Sequence, residues 1–583
     1  VYDLEWARGE WKEVDSGTIR TPEVRMAGVY DGRQFRWYRT INAFLDNELV
    51  PKNNGIWFYA HAGGLADMLF IMQRLIARGG TEVKASFSGS SAIIVQVRKG
   101  RHRWTFVDSL WLFGTALAKV AKWIGMKKGT IDFETDDFRK LVEYNELDCK
   151  ILWRAIDAFE TAILGMGGEL CMTLASCAMN LFRRKFLTRS IETNSDVNLS
   201  ARLSYFGSRV EVFEREAMGG YYFDINSSFP AAMIEPCPGA YIGSTRRLPT
   251  KNGALFLARI DVEVPETYFP TLPLRHEGSV FFPVGKWQGW FNETDCRLLE
   301  SRGGKIHRVY EVNHFSPFTD LAEYATTLYD LRKQGTTEFE NVIYKLLLNS
   351  LYGKFAENPL KQSLLVNPPF TTCPHWPPHP RKLDTPREST CMTQLVPGVW
   401  LMEDEAEIPH EHVPISSHIT ALARANLYGH MEKCSRFYYC DTDGFATNEG
   451  NIPTSDKLGG LKLEIRFDSA EFLSPKVYRI DDKVKAKGMS LLDKSLIPET
   501  ITTEEGREEE GKKISLKRWL KLREGETIEA ERMSRIKELY RSGSTIPITR
   551  RIGKQLRFAS RPKRKMNKNG TSRPWTIDEL KEK

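Results

Sequence analysis

The sequence predicts a multidomain chain of α/β and α+β character. At 583 residues, 41% apolar and 27% charged, it can bury several cores and has the balance of a globular protein. Up to about residue 165, apolar strand-like segments such as Ala92-Ile93-Ile94-Val95-Gln96-Val97 alternate with helical ones such as Leu65–Arg78. Beyond that, two segments ending in carboxylates, near residues 224 and 441, lie far apart in sequence. A layer that holds both must therefore be split in the chain.

Taken in order, the elements that carry chemistry begin at the first strand. Asp3-Leu4-Glu5 alternates, so both acids point to one side. His61-Ala62-Gly63-Gly64-Leu65-Ala66-Asp67 follows the apolar run Ile56-Trp57-Phe58-Tyr59-Ala60, and Tyr144 and Asp148 stand four apart on a helix. Gly220-Tyr221-Tyr222-Phe223-Asp224-Ile225-Asn226-Ser227-Ser228-Phe229-Pro230 reads as a buried strand that ends at an acid and then turns. Thr337 and Glu340 form a capping-box pattern, and Gly353 stands where a C′ glycine closes the helix. Between them Lys345, Asn349 and Tyr352, at i, i+4 and i+7, share one face bearing a cation, an amide and a flat ring. In Tyr439-Cys440-Asp441-Thr442-Asp443-Gly444, alternation puts two carboxylates on one face and Gly444 permits a tight hairpin. Such a hairpin suits Mg2+, which takes oxygen ligands and shares them with phosphates.

The segments at Asp224–Pro230, Lys345–Lys354 and Asp441–Asp443 resemble, in that order, motifs A, B and C of family B DNA polymerases, in the protein-primed branch of phages and linear plasmids. Ser474-Pro475-Lys476-Val477-Tyr478 is similar to the family's Lys-x-Tyr, and Tyr205-Phe206-Gly207-Ser208 to its Tyr-x-Gly-Gly/Ala at the junction of exonuclease and polymerase. The N-terminal acids resemble the three motifs of a 3′–5′ proofreading exonuclease. The fold implied is an RNase H-like exonuclease domain followed by a right-hand polymerase of palm, fingers and thumb with two insertions.

The resemblance implies an exonuclease domain over 1–165, and linker helices with the first palm part over 166–235. A first terminal-protein-region insertion follows over 236–320, then fingers over 321–356 and a second such insertion over 357–414. Palm over 415–490 and thumb with a basic tail over 491–583 complete the chain. The second insertion, rich in Pro, His and Thr, is expected to be either an arm over DNA that supports processivity and strand displacement or a linker. A charged helical segment, Ile514 to Arg541, is expected in the thumb.

Implied roles follow residue by residue. Asp224 and Asp443, with the Ile225 carbonyl, hold two Mg2+ (Mn2+ able to substitute) and Asp441 supports them. Lys345 and Lys333 neutralise the triphosphate of a dNTP. Asn349 and Tyr352 pack against the nascent base pair, with Ser227 and Ser228 beside the nucleotide. Phe229, in place of the usual Tyr, keeps the ring that excludes a ribose 2′-hydroxyl. Lys476, Tyr478, Tyr205, Gly207 and Ser208 bind primer-template DNA. In the exonuclease Asp3, Glu5, Asp67 and Asp148 hold metals and Tyr144 orients the attacking water. Ser109 and Leu110 grip a single strand, and Lys128 supports the site. The family's Asn and aromatic in the second exonuclease motif are here Ala62 and Ala66, which implies a weakened exonuclease. Residues are expected to precede Val1, and a shortened first strand would weaken that site further.

The net charge of +8 suits a polyanion partner. The stretch from Arg550 to Lys568, with Arg557, Arg561, Lys563, Arg564 and Lys565, reads as a solvent-exposed basic tail or as part of a thumb that grips duplex phosphates. Nine scattered cysteines without a Cys-x-x-Cys pair suggest reduced thiols and a cytoplasmic setting. Cys373, His375, His379 and Cys391 match no zinc spacing and read as loop residues. No apolar run is long enough to span a bilayer. The expected protein is a monomeric, Mg2+-dependent DNA-directed DNA polymerase, with a terminal priming protein as a further partner. Two alternatives stay open: a primer-independent relative and an inactivated DNA-binding relative.

Overall fold

The computed structural model describes residues 1–14, 17–132, 135, 137–191, 194–251, 253–368, 391–486, 500–502, 508–510, 527–555 and 562–582. Its N-terminal part opens with an antiparallel sheet of strands Tyr2–Ala7, Glu23–Tyr30 and Phe35–Tyr38, in which Asp3 faces Gly28 and Glu5 faces Met26 across the ladder. Beside it lie strands Trp57–Ala60, His102–Asp108, Ser91–Lys99 and Glu82–Ser88, the first pair parallel and the rest antiparallel. Helices Asp67–Arg78 and Phe138–Gly165 carry the remaining acids of this half.

The palm is one seven-stranded antiparallel sheet built from distant segments. Its order is Val210–Val212, Phe437–Asp441, Gly444–Thr447, Glu216–Ile225, Leu461–Ser474, Val477–Ile480 and Lys483–Ala486. Alternation decides its two faces. Phe223, Phe437 and Phe445 face the helix Val413–Met431 through Leu427 and Met431, while Tyr222, Tyr439, Phe472 and Tyr478 form a second cluster. Two helices, Asp320–Gln334 and Glu338–Ser350, stand on this base as a pair. The second begins with the Thr337–Glu340 capping box, each side chain bonded to the other's backbone. Gly353 does not close it in the left-handed conformation; Leu351 stays right-handed and the chain runs on as a 3-10 turn, Tyr352–Ala356.

Residues 237–318 form a four-stranded sheet, ordered Cys237–Thr245, Lys305–Phe318, Leu255–Val264 and Gly285–Asn292, with its own apolar core under the helix Glu293–Ser301. The segment after residue 357 does more than link. Leu360–Val366 pairs with Glu82–Ser88, with Ser363 opposite Ser86, and Val399–Glu405 and Cys391–Val396 extend the same sheet. Leu364, Val366 and Leu401 join the N-terminal core. Cys373, His375 and His379, and the centre of this segment, lie outside the described residues.

Two expectations for the C-terminal part need correction. Within Ile514 to Arg541 the described residues begin with a strand, Thr527–Met533, and are helical only over Ile536–Arg541. Strand Thr527–Met533 pairs with Thr549–Gln555, which pairs with the N-terminal hairpin at Arg20, so sheet formation overrides helical composition. The basic stretch is also not all solvated. Arg564 is 1% exposed, donates to Ser572 and to the Tyr268 carbonyl, and lies 3.9 Å from the buried Glu211, while Lys565 pairs with Glu579. Arg564 thus fastens residues 562–582 to the palm strand that holds Glu211, whereas Lys565–Glu579 ties the segment to itself. Arg557 and Arg561 lie outside the described residues. Among the described residues no helix is long and apolar enough to cross a membrane.

Candidate active site

Asp224 and Asp443 meet because two strands are zipped together. Asp224 lies opposite Gly444 in the ladder, and the Ile225 amide donates to the Asp443 carbonyl at 2.8 Å. Burial, reinforced by Asp443 and Glu464 and opposed by Lys345 and Lys462, pushes the Asp224 carboxyl up to about 6. Burial also raises Asp443, with Asp441 adding to the shift and Lys476 and Lys485 opposing it.

Simple alternation does not put Asp441 and Asp443 side by side. The strand ends at Asp441, and Thr442 turns with φ +70°, a strained value for a threonine, its amide held by the Arg209 carbonyl at 3.0 Å. Asp441 therefore turns to the Lys476 ammonium at 2.9 Å and to Lys485 at 3.8 Å, while Asp443 goes to Asp224. Lys476 itself is in the left-handed region, φ +66°, with its amide donating to the Tyr439 hydroxyl. Tyr478 is largely buried beside Tyr222 and Tyr439, so its ring packs the palm as much as it faces a ligand.

Phe229 and Tyr352 stack with ring centroids 4.5 Å apart and planes 26° from parallel. The burial that raises the Tyr352 hydroxyl is joined by the fields of Tyr205 and Asp443. Lys345 projects from the exposed face of its helix, and Asn349, one turn on, donates to the Lys345 carbonyl at 2.8 Å. Ser227 makes the left-handed turn, φ +51°, into the short helix Ser228–Ala232, and Ser228 Oγ is buried without a hydrogen-bond partner among the described residues. Lys333 lies over the Tyr329 ring at 4.7 Å. Its neighbour Arg332, which sequence reasoning missed, reaches Ser227 Oγ at 3.4 Å. The Tyr205–Ser208 segment is held by its backbone. Arg275 donates to the Tyr205 carbonyl, and Arg424, paired with Asp295 at 3.1 Å in the interior, donates to those of Phe206 and Gly207. Ser208 is half-buried at the entry to the palm.

The N-terminal acids form a second cluster. Asp3, Glu5, Asp67, Tyr144, Asp148 and Lys128 line one cavity of about 450 Å3 together with His61, Ala62 and Ala66. Asn145 bridges Asp3 at 3.0 Å and Glu5 at 3.2 Å. It can do so only because residue 28 is glycine, where a Cβ would strike Asn145 Oδ1. Burial raises Asp3 and Asp67 well above the carboxylate range, helped in both cases by Glu5. Glu5 is pushed up to about 7, burial outweighing its bond to Asn145. Lys128 pairs with Asp148 and lies over the Tyr144 ring at 4.7 Å.

Ser109 departs from its expected role. It is fully buried, bonded to the Ala60 carbonyl at 2.9 Å and to His61 at 3.0 Å, so its hydroxyl fixes the loop instead of facing a strand of DNA; Leu110, next to it, is half-buried. Asp108, another residue the sequence did not single out, accepts from the amides of Gly64 and Leu110 and holds the same loop. Ala62 sits there at φ 60°.

Both clusters offer hard oxygen donors whose raised carboxyl affinity for protons reflects a shortage of countercharge, and Asp148 Oδ1 is buried without a partner among the described residues. That donor chemistry suits Mg2+. Among the described residues, no three such side chains already converge as a coordination shell.

A family described as DNA polymerase type B, organellar and viral, matches residues 134–367. A probable DNA polymerase of Neurospora intermedia is 28% identical over 373 residues, 58% of this chain and 37% of its own. The DNA-directed DNA polymerase of Enterobacteria phage PRD1 is 26% identical over 466 residues, 75% of this chain and 76% of its own. The chain spans 37% and 31% of the lengths of the fungal relatives from Neurospora intermedia and Ascobolus immersus. In fold it is similar to phi29 DNA polymerase complexed with primer-template DNA and incoming nucleotide, with TM-score 0.71 at 18% identity over 96% of this chain and 99% of the other. The motifs in order and the split palm, together with these likenesses, make the chain similar to the type B DNA polymerases of the organellar and viral kind in sequence and to phi29 DNA polymerase in fold.

Proposed function

We propose that this protein is a template-directed DNA polymerase that extends a 3′-hydroxyl with dNTPs, of the protein-primed type. The observation that carries this reading is the meeting of Asp224 and Asp443 beside the stacked Phe229 and Tyr352, with Lys345 close enough to act on Asp224. Asp224 and Asp443 hold the metal ions. Mg2+ bound there supplies activation of the attacking hydroxyl and charge neutralisation on the phosphates. Lys345 and Arg332 face the triphosphate, and Lys333 remains a further cation on the same helix as Arg332. The Phe229–Tyr352 pair forms the floor under the sugar and base, with Asn349, Ser227 and Ser228 around it. Asp441 holds Lys476 and Lys485 at the primer side, where their charge meets DNA. Tyr205, Gly207, Ser208 and Tyr478 line the path of primer-template DNA.

Asp3, Glu5, Asp67 and Asp148 form the 3′–5′ exonuclease site, with Tyr144 and Lys128 beside it. Ala62 and Ala66 offer no polar contact to a strand there, which supports weak proofreading. The strands after residue 357, joined to the exonuclease sheet, support an arm that aids processivity and strand displacement. A terminal priming protein as primer donor, a monomeric state and a host-cytoplasmic setting belong to the same proposal.

Asp443→Ala tests it by primer extension and by DNA-binding anisotropy. The expected result is no detectable dNTP addition, with primer-template affinity within about twofold, because a carboxylate is removed and no phosphate contact is lost. Extension at the unmodified rate refutes the assignment.

A further inference from the structure

The sheet of residues 237–318 carries a cavity of about 600 Å3 away from both acid clusters. It lies between the end of the helix Ser195–Ser204 and the strands Leu255–Val264 and Gly285–Asn292. Phe206, Trp287, Trp290 and Phe291 wall it, Arg259 and Arg275 flank it, and among the described residues no acid lines it.

Its charges are available. Arg275 lies 5.3 Å from the Phe206 ring centre and donates to the Tyr205 carbonyl at 2.7 Å, while Arg259 donates to Gln288 Oε1 at 2.9 and 3.1 Å. Neither guanidinium has a carboxylate within ion-pairing distance among the described residues. The Trp287 indole N–H, shielded from solvent, has no hydrogen-bond partner among the described residues. Aromatic walls with uncompensated guanidinium groups favour a flat, π-faced ligand attached to a polyanion, and any base satisfies the stacking. A paired base in a duplex cannot enter such a cavity, because both its faces and its edge are already used.

We propose that this cavity holds an unpaired nucleotide of a DNA single strand that passes the junction at Tyr205. The route is traced by contacts: Phe229 stacks on Tyr352, the Tyr352 carbonyl accepts from Ser416, the next residue Ser417 is bonded to Ser204, and the carbonyl of the adjoining Tyr205 accepts from Arg275 on the cavity. The inference rests on the polymerase reading only for naming DNA as the polyanion. Loss of extension activity and loss of this site are separate results.

The test uses the full chain and short oligo(dT) carrying one 5-iodouracil, with no nucleotide added. Ultraviolet cross-linking and peptide mapping are expected to mark the peptide that holds Trp287 and Trp290. In fluorescence anisotropy, Trp290→Ala and Arg259→Gln should each bind the oligonucleotide about fivefold or more weakly, the low end of what a stacked base contributes, with Trp290→Phe within about twofold of the unmodified protein. The salt slope of Arg259→Gln should be shallower by about 0.7. Thermal melts identify variants that fail to fold; Arg259→Gln and the cross-link on unmodified protein decide the matter if Trp290→Ala is one of them. Cross-links confined to the acid clusters, or unchanged affinity in folded variants, overturn the proposal. So does capture of an acidic aromatic peptide without any oligonucleotide cross-link, which assigns the cavity to a protein partner.

Discussion

Replacing Glu5 with glutamine should stabilise this protein at pH 8 in the absence of divalent cations, although it alters the proposed exonuclease site. Glu5 is 4% exposed, and its carboxyl moves from an ordinary 4.5 to about 7. The unfolded chain gives up this proton near the ordinary value and the folded chain near the raised one. Stability from holding it is thus fully present below the ordinary value and lost as pH rises through about 7. A rise from 4.5 to about 7, at about 1.4 kcal/mol for each tenfold change in proton affinity, gives an upper bound of about 3.5 kcal/mol. Asp3, raised partly by Glu5, relaxes in the same field, and glutamine can still accept from Asn145. About 2 kcal/mol remains as the expected gain, a rise of about 4–8 °C for a unit the size of the N-terminal domain. Scanning calorimetry in EDTA at pH 5 and at pH 8 measures it, following the transition of the N-terminal part, since a chain of several domains need not melt in one step. The gain should be present at pH 8, fall to a small remainder by pH 5, and shrink on addition of Mg2+, which stabilises the unmodified carboxylate cluster more. An equal or lower melting temperature at pH 8, or a gain independent of pH, refutes the account of this cluster as uncompensated negative charge.

Phe229→Val opens the space beside Tyr352 and should raise ribonucleotide incorporation by about tenfold or more, read by single-nucleotide insertion with dNTP and rNTP; unchanged discrimination removes Phe229 as the gate. Ala62→Asn places in a left-handed turn one of the few residues that tolerates it, so folding should be unaffected while degradation of single-stranded 3′ ends rises several-fold. No rise in a folded variant points to Ala66 or the first strand as the limit. Arg564→Met removes one cation from the buried Arg209–Glu211–Arg564 group and should cost about 3 kcal/mol in urea unfolding; a neutral result shows that residues 562–582 do not fasten the palm.

Local patterns reported the chemistry well where the chemistry is local. The capping box at Thr337 and Glu340 is made as read, because it involves only neighbouring groups. Asn145 was invisible as a bridge between Asp3 and Glu5, since its function depends on a gap at Gly28 in another strand. Asp108 and Lys485 are ordinary in sequence, and only packing brings them to a loop and to Asp441. The charged stretch before Arg541 read as helix because composition counts local propensity, whereas its described strand is set by pairing with Thr549–Gln555.

By itself the sequence carries the resemblance to family B DNA polymerases and singles out the acids, since short ordered motifs are legible without knowledge of their surroundings. It also determined that the palm is assembled from distant segments. The resemblance had already grouped Asp224 with Asp443, but tertiary structure alone decided how the hairpin turns its two acids. Alternation predicts a shared face for Asp441 and Asp443, but the left-handed Thr442 sends one to Lys476 and the other to Asp224. It likewise decided that Arg564 is an interior fastener and not a hand on DNA, and that Ser109 holds a loop. The physical reason is common to all three. Charge and polarity belong to a residue, but the partner that satisfies them is chosen by the fold, where a buried group left unpaired costs more than most contacts give.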